Sequence, residues 1–340
     1  MALQWEWCVK ALVLKEYNAF SYEDVPVPEI GPDEVLIRVK ACGICGSDVH
    51  GMDGSTGRRI PPIVMGHEAA GVIAEAGAAV TGFAQGDRVT FDSTIYCGAC
   101  RFCRRGLANL CDNRRVLGVS CDEYRHHGAF AEYVAVPQRI LYALPDDVTF
   151  EQAAMVEPLS IALHAVERTP ISLNDTGVVV GAGMIGLLVV QALRAAGCGR
   201  IVAVDLEEGK LKMACELGAD EGVKPDDCPS DMDVAFEVVG ITPALKTAVA
   251  SLRKGGSLTL VGNLSPEVEL PLQAVVTRQL TLYGSCATCG EYPACLDMIA
   301  RGTVNVDALI SATAPLAEGA AWFDRLYKKE PGLMKVILIP

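Results

Sequence analysis

No stretch of these 340 residues is long and apolar enough to require a membrane: the densest apolar run, residues 178–193, is broken by glycines and by Gln191. A basic surplus is missing too. Lys and Arg number 29 against 42 Asp and Glu, a formal net charge of −13. That balance favours solubility and argues against nucleic acid or an anionic membrane as partner. Residues 1–10 lack a basic start followed by an apolar segment, so no secretory leader is expected and the cytoplasm is the expected compartment. There is no internal repeat and no low-complexity tract. Histidine is scarce, at five residues, whereas cysteine is abundant, at 14. In a cytosolic chain such cysteines are metal ligands or buried apolar side chains more often than disulfides. With 51% hydrophobic residues, the chain is long enough for two domains, each with its own core.

The most informative stretch is residues 176–205, which reads as strand, glycine turn, helix and second strand. Residues 177–180 are a short apolar, β-branched run, and Gly181, Gly183 and Gly186 follow in the spacing G-x-G-x-x-G, with Met184 and Ile185 inside it. The first glycine permits a tight turn, the second lets the backbone approach a pyrophosphate, and the third lets helix and strand pack closely. The helix expected over residues 187–196 then turns its N-terminal N–H groups and positive dipole end towards phosphates. A second buried strand over residues 200–204 delivers Asp205, 19 residues beyond Gly186, where a carboxylate accepts hydrogen bonds from an adenosine ribose and repels the 2′-phosphate of NADP. A glycine hexapeptide alone also fits an ordinary strand-to-helix turn, but its context points to a Rossmann site for NAD.

Before this stretch the chain is strand-like and punctuated by turns. Residues 34–41, EVLIRVKA, alternate as a half-buried strand should, and the following loop gathers Cys42, Cys45, Ser47, Asp48 and His50 within nine residues. Further on, Cys97-x2-Cys100-x2-Cys103-x7-Cys111 lies in a lobe that includes Arg101, Arg104 and Arg105. Four thiolates suit a closed tetrahedral zinc site, and neighbouring cations offset its negative charge; an iron–sulfur cluster or inert thiols are the alternatives. Residues 128–136 read as a strand and residues 150–166 as a helix interrupted at Pro158. That helix carries Glu157 among Met155, Val156, Leu159 and Ile161, where a carboxylate needs a partner such as a metal or a metal-bound water.

After Asp205 a second half is expected: helices over residues 210–217 and 243–252, and strands over residues 233–239, 257–261 and 280–284. Ligands sit at the C-terminal ends of such strands, so Val239, Gly240, Val261, Gly262 and Ser285 are candidate nicotinamide contacts, and Lys210 joins the cofactor set. A helix is expected from about Tyr292, then the strand LMKVILIP.

The pattern G-H-E-x-x-G-x5-G-x2-V-x5-G-D-x-V at Gly66, His67, Glu68, Gly71, Gly77, Val80, Gly86, Asp87 and Val89 resembles the signature of the zinc-containing medium-chain alcohol dehydrogenases. The resemblance covers essentially the whole chain and leaves residues 1–8 as an extension. It implies a β-rich GroES-like catalytic domain over residues 1–153, completed by 293–340 and carrying a structural zinc lobe near 97–111. It further implies a doubly wound parallel Rossmann domain for NAD over residues 154–292. Two zinc ions per chain are expected, a structural one on Cys97, Cys100, Cys103 and Cys111 and a catalytic one on Cys45 and His67 with Glu68 and Glu157. The order of the two glutamates, direct ligand against water-holder, stays open.

In such enzymes zinc acts as a Lewis acid on the substrate hydroxyl and the carbon gives a hydride to NAD. Ser47 and His50 match the family's proton relay, while His126, His127 and His164 are read as structural. CGICGSDVH and VEPLS look most like the sorbitol and polyol branch, except that Gly51 stands where that branch has an aromatic residue. Arg58 and Arg59 are candidates to bind a sugar-alcohol phosphate. The expected substrate is a polyol, a sugar alcohol or its phosphate. An L-threonine 3-dehydrogenase-like enzyme and a non-catalytic nucleotide-binding protein on the same scaffold are the alternatives. A homo-oligomer, tetramer or dimer, is implied as well.

Overall fold

The computed structural model describes residues 8–121 and 124–340. The extension read at residues 1–8 lies, except for Cys8, outside them. The chain divides into two compact units. The first runs to Glu157 and takes back Tyr292–Ala300 and Val306–Pro340; the second comprises Pro158–Glu291 and Arg301–Asn305.

The first unit is β-rich. Its main sheet has seven strands, with Leu141–Ala143, Arg88–Phe91, Glu68–Ala76, Glu34–Gly43, Lys335–Ile339 and Ile310–Pro315 in that spatial order and Tyr133–Pro137 also paired to Glu34–Gly43. A smaller antiparallel sheet joins Ala19–Pro26, Cys8–Glu16 and Ile63–Val64. The alternation seen in residues 34–41 is realised on the strand Glu34–Gly43, whose Val35, Ile37 and Val39 enter a core with Leu12, Leu14, Phe91, Phe130 and Phe323. Residues 128–132 do not continue the strand expected from residue 128. The N–H groups of Gly128, Ala129 and Phe130 donate instead to the carbonyls of Val64, Gly66 and Met65, which bends this segment around the loop that leads to His67.

The second unit is a six-stranded, wholly parallel sheet. In chain order its strands are Thr176–Val180, Arg200–Val204, Glu221–Val223, Met232–Glu237, Leu252–Leu260 and Thr281–Gly284, and their spatial order is 3-2-1-4-5-6. Val178, Val180, Val202, Val204, Ala235 and Leu258 fill its core. This explains why these strands read as continuous apolar runs: both faces are covered. The order places a topological switch point beside Thr176–Val180, where dinucleotides bind in such sheets.

The helical stretch expected over residues 150–166 is broken, but not at Pro158. Two helices form, Phe150–Ala154 and Val156–Glu167, and Pro158 sits in the first turn of the second. A proline costs little there because the first N–H groups of a helix have no intrahelical partner. Glu157 thereby also lies in a first turn. Among the described residues no helix is long and apolar enough to cross a membrane.

Candidate active site and metal centres

Cys45 is the N-cap of the one-turn helix Gly46–Gly51, where its Sγ accepts from the Ser47 N–H at 3.4 Å and its own N–H faces Asp48 Oδ2 at 3.4 Å. His67 and Glu68 arrive from the start of the strand Glu68–Ala76, which is antiparallel to Glu34–Gly43. The thiol, the imidazole and one carboxylate oxygen of Cys45, His67 and Glu68 all lie within 4.8 Å of one another. Thiolate, imidazole and carboxylate are the donor types that zinc accepts, so this set fits a zinc ion.

Each of these groups is held from behind. Asp48 is fully buried, with Oδ1 2.8 Å from Arg59 Nη2 and 3.5 Å from His67 Nδ1. Burial alone would raise the Asp48 pKa, but His67 and Arg59 outweigh it and hold the carboxyl well below the usual carboxylate range. Burial likewise opposes charging of His67, yet the carboxylate of Asp48 and then Cys45 raise its pKa well above the ordinary histidine value in the metal-free chain. Glu68 pairs with Lys335, Nζ to Oε2 at 2.5 Å, and Lys335 also donates to the Ile44 carbonyl at 3.0 Å. Lys335 is only 2% exposed. It is buried at a cost to its charge that Glu68 more than offsets, so its pKa is raised.

Glu157 is not part of the tight donor group, although it feels His67, Glu68, Lys335 and Asp92 electrostatically. Burial, against the opposing pull of His67, pushes its carboxyl up to about 7. Ser47 and His50 are exposed on Gly46–Gly51, three residues apart and so on one face of the turn. Ser47 Oγ donates to Cys45 Sγ at 3.3 Å.

The second cluster contains the four cysteines. The Sγ atoms of Cys97, Cys100, Cys103 and Cys111 lie within 4.8 Å of one another, and backbone N–H groups of Cys100, Cys103 and Asn113 donate to three of them. The N–H groups of Ala99 and Cys100 draw the Cys97 thiol down to about 6, while burial pushes Cys103 up. Among the described residues this group consists of four sulfurs, which suit a closed site. Arg101, Arg104 and Arg105 all point to solvent around it.

The dinucleotide turn lies at the C-terminal edge of the parallel sheet. Gly181 has φ +103°, and a Cβ on Gly186 would stand 1.8 Å from the Gly181 carbonyl oxygen, a separation only glycine tolerates. Gly183 is the N-cap of Met184–Ala195, and a Cβ there would meet nothing within 4 Å, which leaves the open approach a pyrophosphate needs. Met184 and Ile185 form the first turn. Asp205 is fixed by two backbone donors, Ala182 N–H at 2.8 Å and Glu207 N–H at 3.0 Å. Lys210 pairs with Glu207 at 2.6 Å. The N–H groups of Val239 and Gly240 turn back to Glu237 Oε1, those of Val261 and Gly262 to the Glu237 carbonyl. The buried Ser285 Oγ has no hydrogen-bond partner among the described residues. These features fit a nicotinamide dinucleotide.

Of the other histidines, His127 accepts from the Val64 N–H at 3.1 Å and His164 pairs with Glu291 at 2.6 Å. His126 Nδ1 meets the His127 carbonyl oxygen at 2.8 Å. Arg58 is exposed, but Arg59 is 3% exposed and engaged by Asp48, so a phosphate role for Arg59 is corrected. Lys335 carried no expectation, although a lone charge inside the apolar run of Lys335–Ile339 was a usable signal.

Comparison with known proteins agrees with this geometry. Residues 31–146 match the alcohol dehydrogenase GroES-like domain and residues 185–301 the zinc-binding dehydrogenase family. The chain is 34% identical to sorbitol dehydrogenase of Bacillus subtilis, covering 98% of this chain and 97% of that one. It is also 34% identical to L-idonate 5-dehydrogenase of Vitis vinifera, over 84% and 82%. Among solved structures, a zinc-binding dehydrogenase from Sinorhizobium meliloti bound to NADP superposes with a TM-score of 0.90 at 33% identity, covering 98% of this chain and all of that one. For 2R,3R-butanediol dehydrogenase of Bacillus subtilis the TM-score is 0.88 at 31% identity, with coverage of 98% and 99%. The chain therefore belongs to the zinc-binding medium-chain alcohol dehydrogenases. It is an oxidoreductase that uses zinc and a nicotinamide dinucleotide.

Proposed function

We propose that the chain oxidises a secondary hydroxyl of a polyol, sugar alcohol or its phosphate, with NAD as hydride acceptor. The observation that carries this is the joint presence of Cys45, His67 and Glu68 as one donor group with Ser47 and His50 on the adjacent turn. Cys45, His67 and Glu68 would hold a zinc ion that supplies Lewis acidity to the hydroxyl, and the glycine turn would hold the NAD that accepts the hydride. Ser47 accepts the proton and His50, exposed, passes it to solvent. Glu157, with its raised pKa, serves as ligand or water-holder, and a carboxyl of that kind also suits the second hydroxyl of a polyol. The names of relatives, sorbitol dehydrogenase and L-idonate 5-dehydrogenase among them, support the same substrate class.

NAD over NADP rests on Asp205 and the two acids that follow after one residue, Glu207 and Glu208, which repel a 2′-phosphate. The four-cysteine lobe supports a second, structural zinc. A homo-oligomer, dimer or tetramer, is supported by the edge strand Thr281–Gly284 and by Leu272 and Val276, 62% and 68% exposed beside it. Cytoplasmic residence accords with thiols that form no disulfide among the described residues.

The test compares kcat/KM for sorbitol, xylitol, L-idonate, galactitol 1-phosphate and threonine with each coenzyme. A polyol or its phosphate is expected to exceed threonine by about 100-fold or more, because a site that hydrogen-bonds a second hydroxyl discriminates strongly against analogues lacking it. NADP is expected to be at least about tenfold poorer than NAD. Threonine as the best substrate overturns the substrate class; equal use of the two coenzymes overturns the role of Asp205.

A further inference from the structure

Arg59 is 3% exposed, and a charge so placed persists only where its donors are met. Its Nε and Nη2 donate to Asp48 Oδ1 at 3.1 and 2.8 Å, Nη2 also reaches Ser47 Oγ at 3.2 Å, and Nη1 donates to the Arg58 carbonyl at 3.2 Å. Two chains of contact leave this guanidinium. One runs through Asp48 to His67 Nδ1 at 3.5 Å and to the Cys45 N–H at 3.4 Å. The other runs through Ser47 Oγ to Cys45 Sγ at 3.3 Å. Glycine at residue 51 makes room for this seat: a Cβ there would stand 2.6 Å from Arg59 Cγ, so a larger side chain would force this arginine to shift.

We propose that Arg59, seated against Gly51, is a positioning residue for the reaction, holding Asp48 against His67 and fixing the direction in which Ser47 points its hydroxyl proton. The proposal rests on Cys45, His67 and Glu68 forming the catalytic zinc site. Arginine has donors and no acceptor, so a serine oxygen that accepts from it must send its own proton elsewhere. Here that proton goes to Cys45 Sγ, which leaves the second lone pair of Ser47 Oγ to accept the proton of the substrate hydroxyl. Lysine cannot substitute, because one ammonium cannot span Asp48 and Ser47 with the geometry of the planar fork.

Zinc retention against a chelator and steady-state rates test this in the full-length enzyme, using Arg59→Lys, Arg59→Met and Arg59→Ala. Groups that orient metal ligands are typically worth 10–100-fold in metal affinity or activity. Arg59→Met and Arg59→Lys are therefore expected to weaken retention of the Cys45-dependent zinc about 10- to 100-fold and to lower kcat by a similar factor, with KM changed less. Ethylguanidinium should restore part of kcat to Arg59→Ala and a smaller factor to the Ser47→Ala, Arg59→Ala double variant, in which only the Asp48 arm remains. Gly51→Ala keeps every polar group and should reproduce the loss in the parent, with no added effect in Arg59→Ala, which keeps the test usable where an arginine variant folds poorly. Wild-type zinc retention and kcat in Arg59→Lys, or a lowered melting temperature as the sole effect of all these variants, overturns the role of Arg59. Cys45→Ser in the same assay separates the two levels: if it leaves the zinc count unchanged, the zinc site itself is absent and the proposal falls with it.

Discussion

Cys45→Ser is expected to remove one of two zinc ions per chain and to lower kcat by about 1000-fold or more, while the melting temperature stays near that of the parent. Cys100→Ser is expected to do the reverse: the other zinc is lost and stability falls by on the order of several kcal/mol, because metal affinity at a closed site is folding free energy. The contrast follows from where the two clusters sit. Cys45 caps a turn that hydrogen bonds from Asp48, Ser47 and Arg59 hold without metal, whereas the cysteine lobe contains only two three-residue 3-10 turns, Cys103–Arg105 and Ala108–Leu110, and has few buried side chains. Metal analysis and thermal melts of both variants decide the matter. Iron in the lobe, or a Cys100→Ser protein that melts like its parent, would remove the structural-zinc assignment.

Glu157→Gln has the second large effect, with opposite signs on function and stability. Burial lifts the Glu157 carboxyl from its ordinary 4.5 to about 7. Between those values the folded metal-free chain holds a proton that the unfolded chain has released. Unfolding then releases a proton, so the contribution of this group to stability falls as pH rises across that window and is most unfavourable above it. For a half-buried group the full penalty at pH 8 is roughly 2 to 3 kcal/mol at most. Glutamine mimics the protonated form at every pH. The variant, stripped of metal, is expected to be more resistant to denaturant than its parent at pH 8 and alike at pH 4, while kcat of the zinc-loaded enzyme falls about 10- to 100-fold. Denaturant titrations at the two pH values, with chelator present, measure the first half. An unchanged pH slope would mean that Glu157 is an ordinary solvated helix residue.

What was legible in the sequence was what chemistry compresses into short spans. Gly181, Gly183, Gly186 and Asp205 belong to one strand–helix–strand unit whose geometry depends on neighbours in the chain, and the structure has the unit where the spacing put it. The four cysteines of the lobe meet for the same reason. The inward turn of Arg59 is not legible in the sequence, because an arginine pair beside a loop gives no hint that one member is buried: Arg58 stays outside while Arg59 finds Asp48 eleven residues back. Lys335 escaped notice because its carboxylate partner, Glu68, is 267 residues away. Pro158 reads as a break in the sequence because its effect depends on where the helix begins, and that start is set by Met155 closing the preceding turn.

The strand Lys335–Ile339 has a consequence for synthesis. It covers the backbone of Cys42, Gly43 and Ile44 and carries the counter-charge of Glu68. The 267 residues between Glu68 and Lys335 take on the order of 10 to 50 s to translate. Throughout that interval the nascent first unit has an open sheet edge and a glutamate without its counter-charge, and from residue 284 onwards the second unit has all six of its strands. The part made first is therefore finished last, and the ribosome-bound chain waits with its incomplete half exposed to chaperones and proteases. Chains stalled before Lys335 should be cut by protease within residues 8–157 and spared within 176–284; equal resistance in both would show that the first unit closes without its late strand.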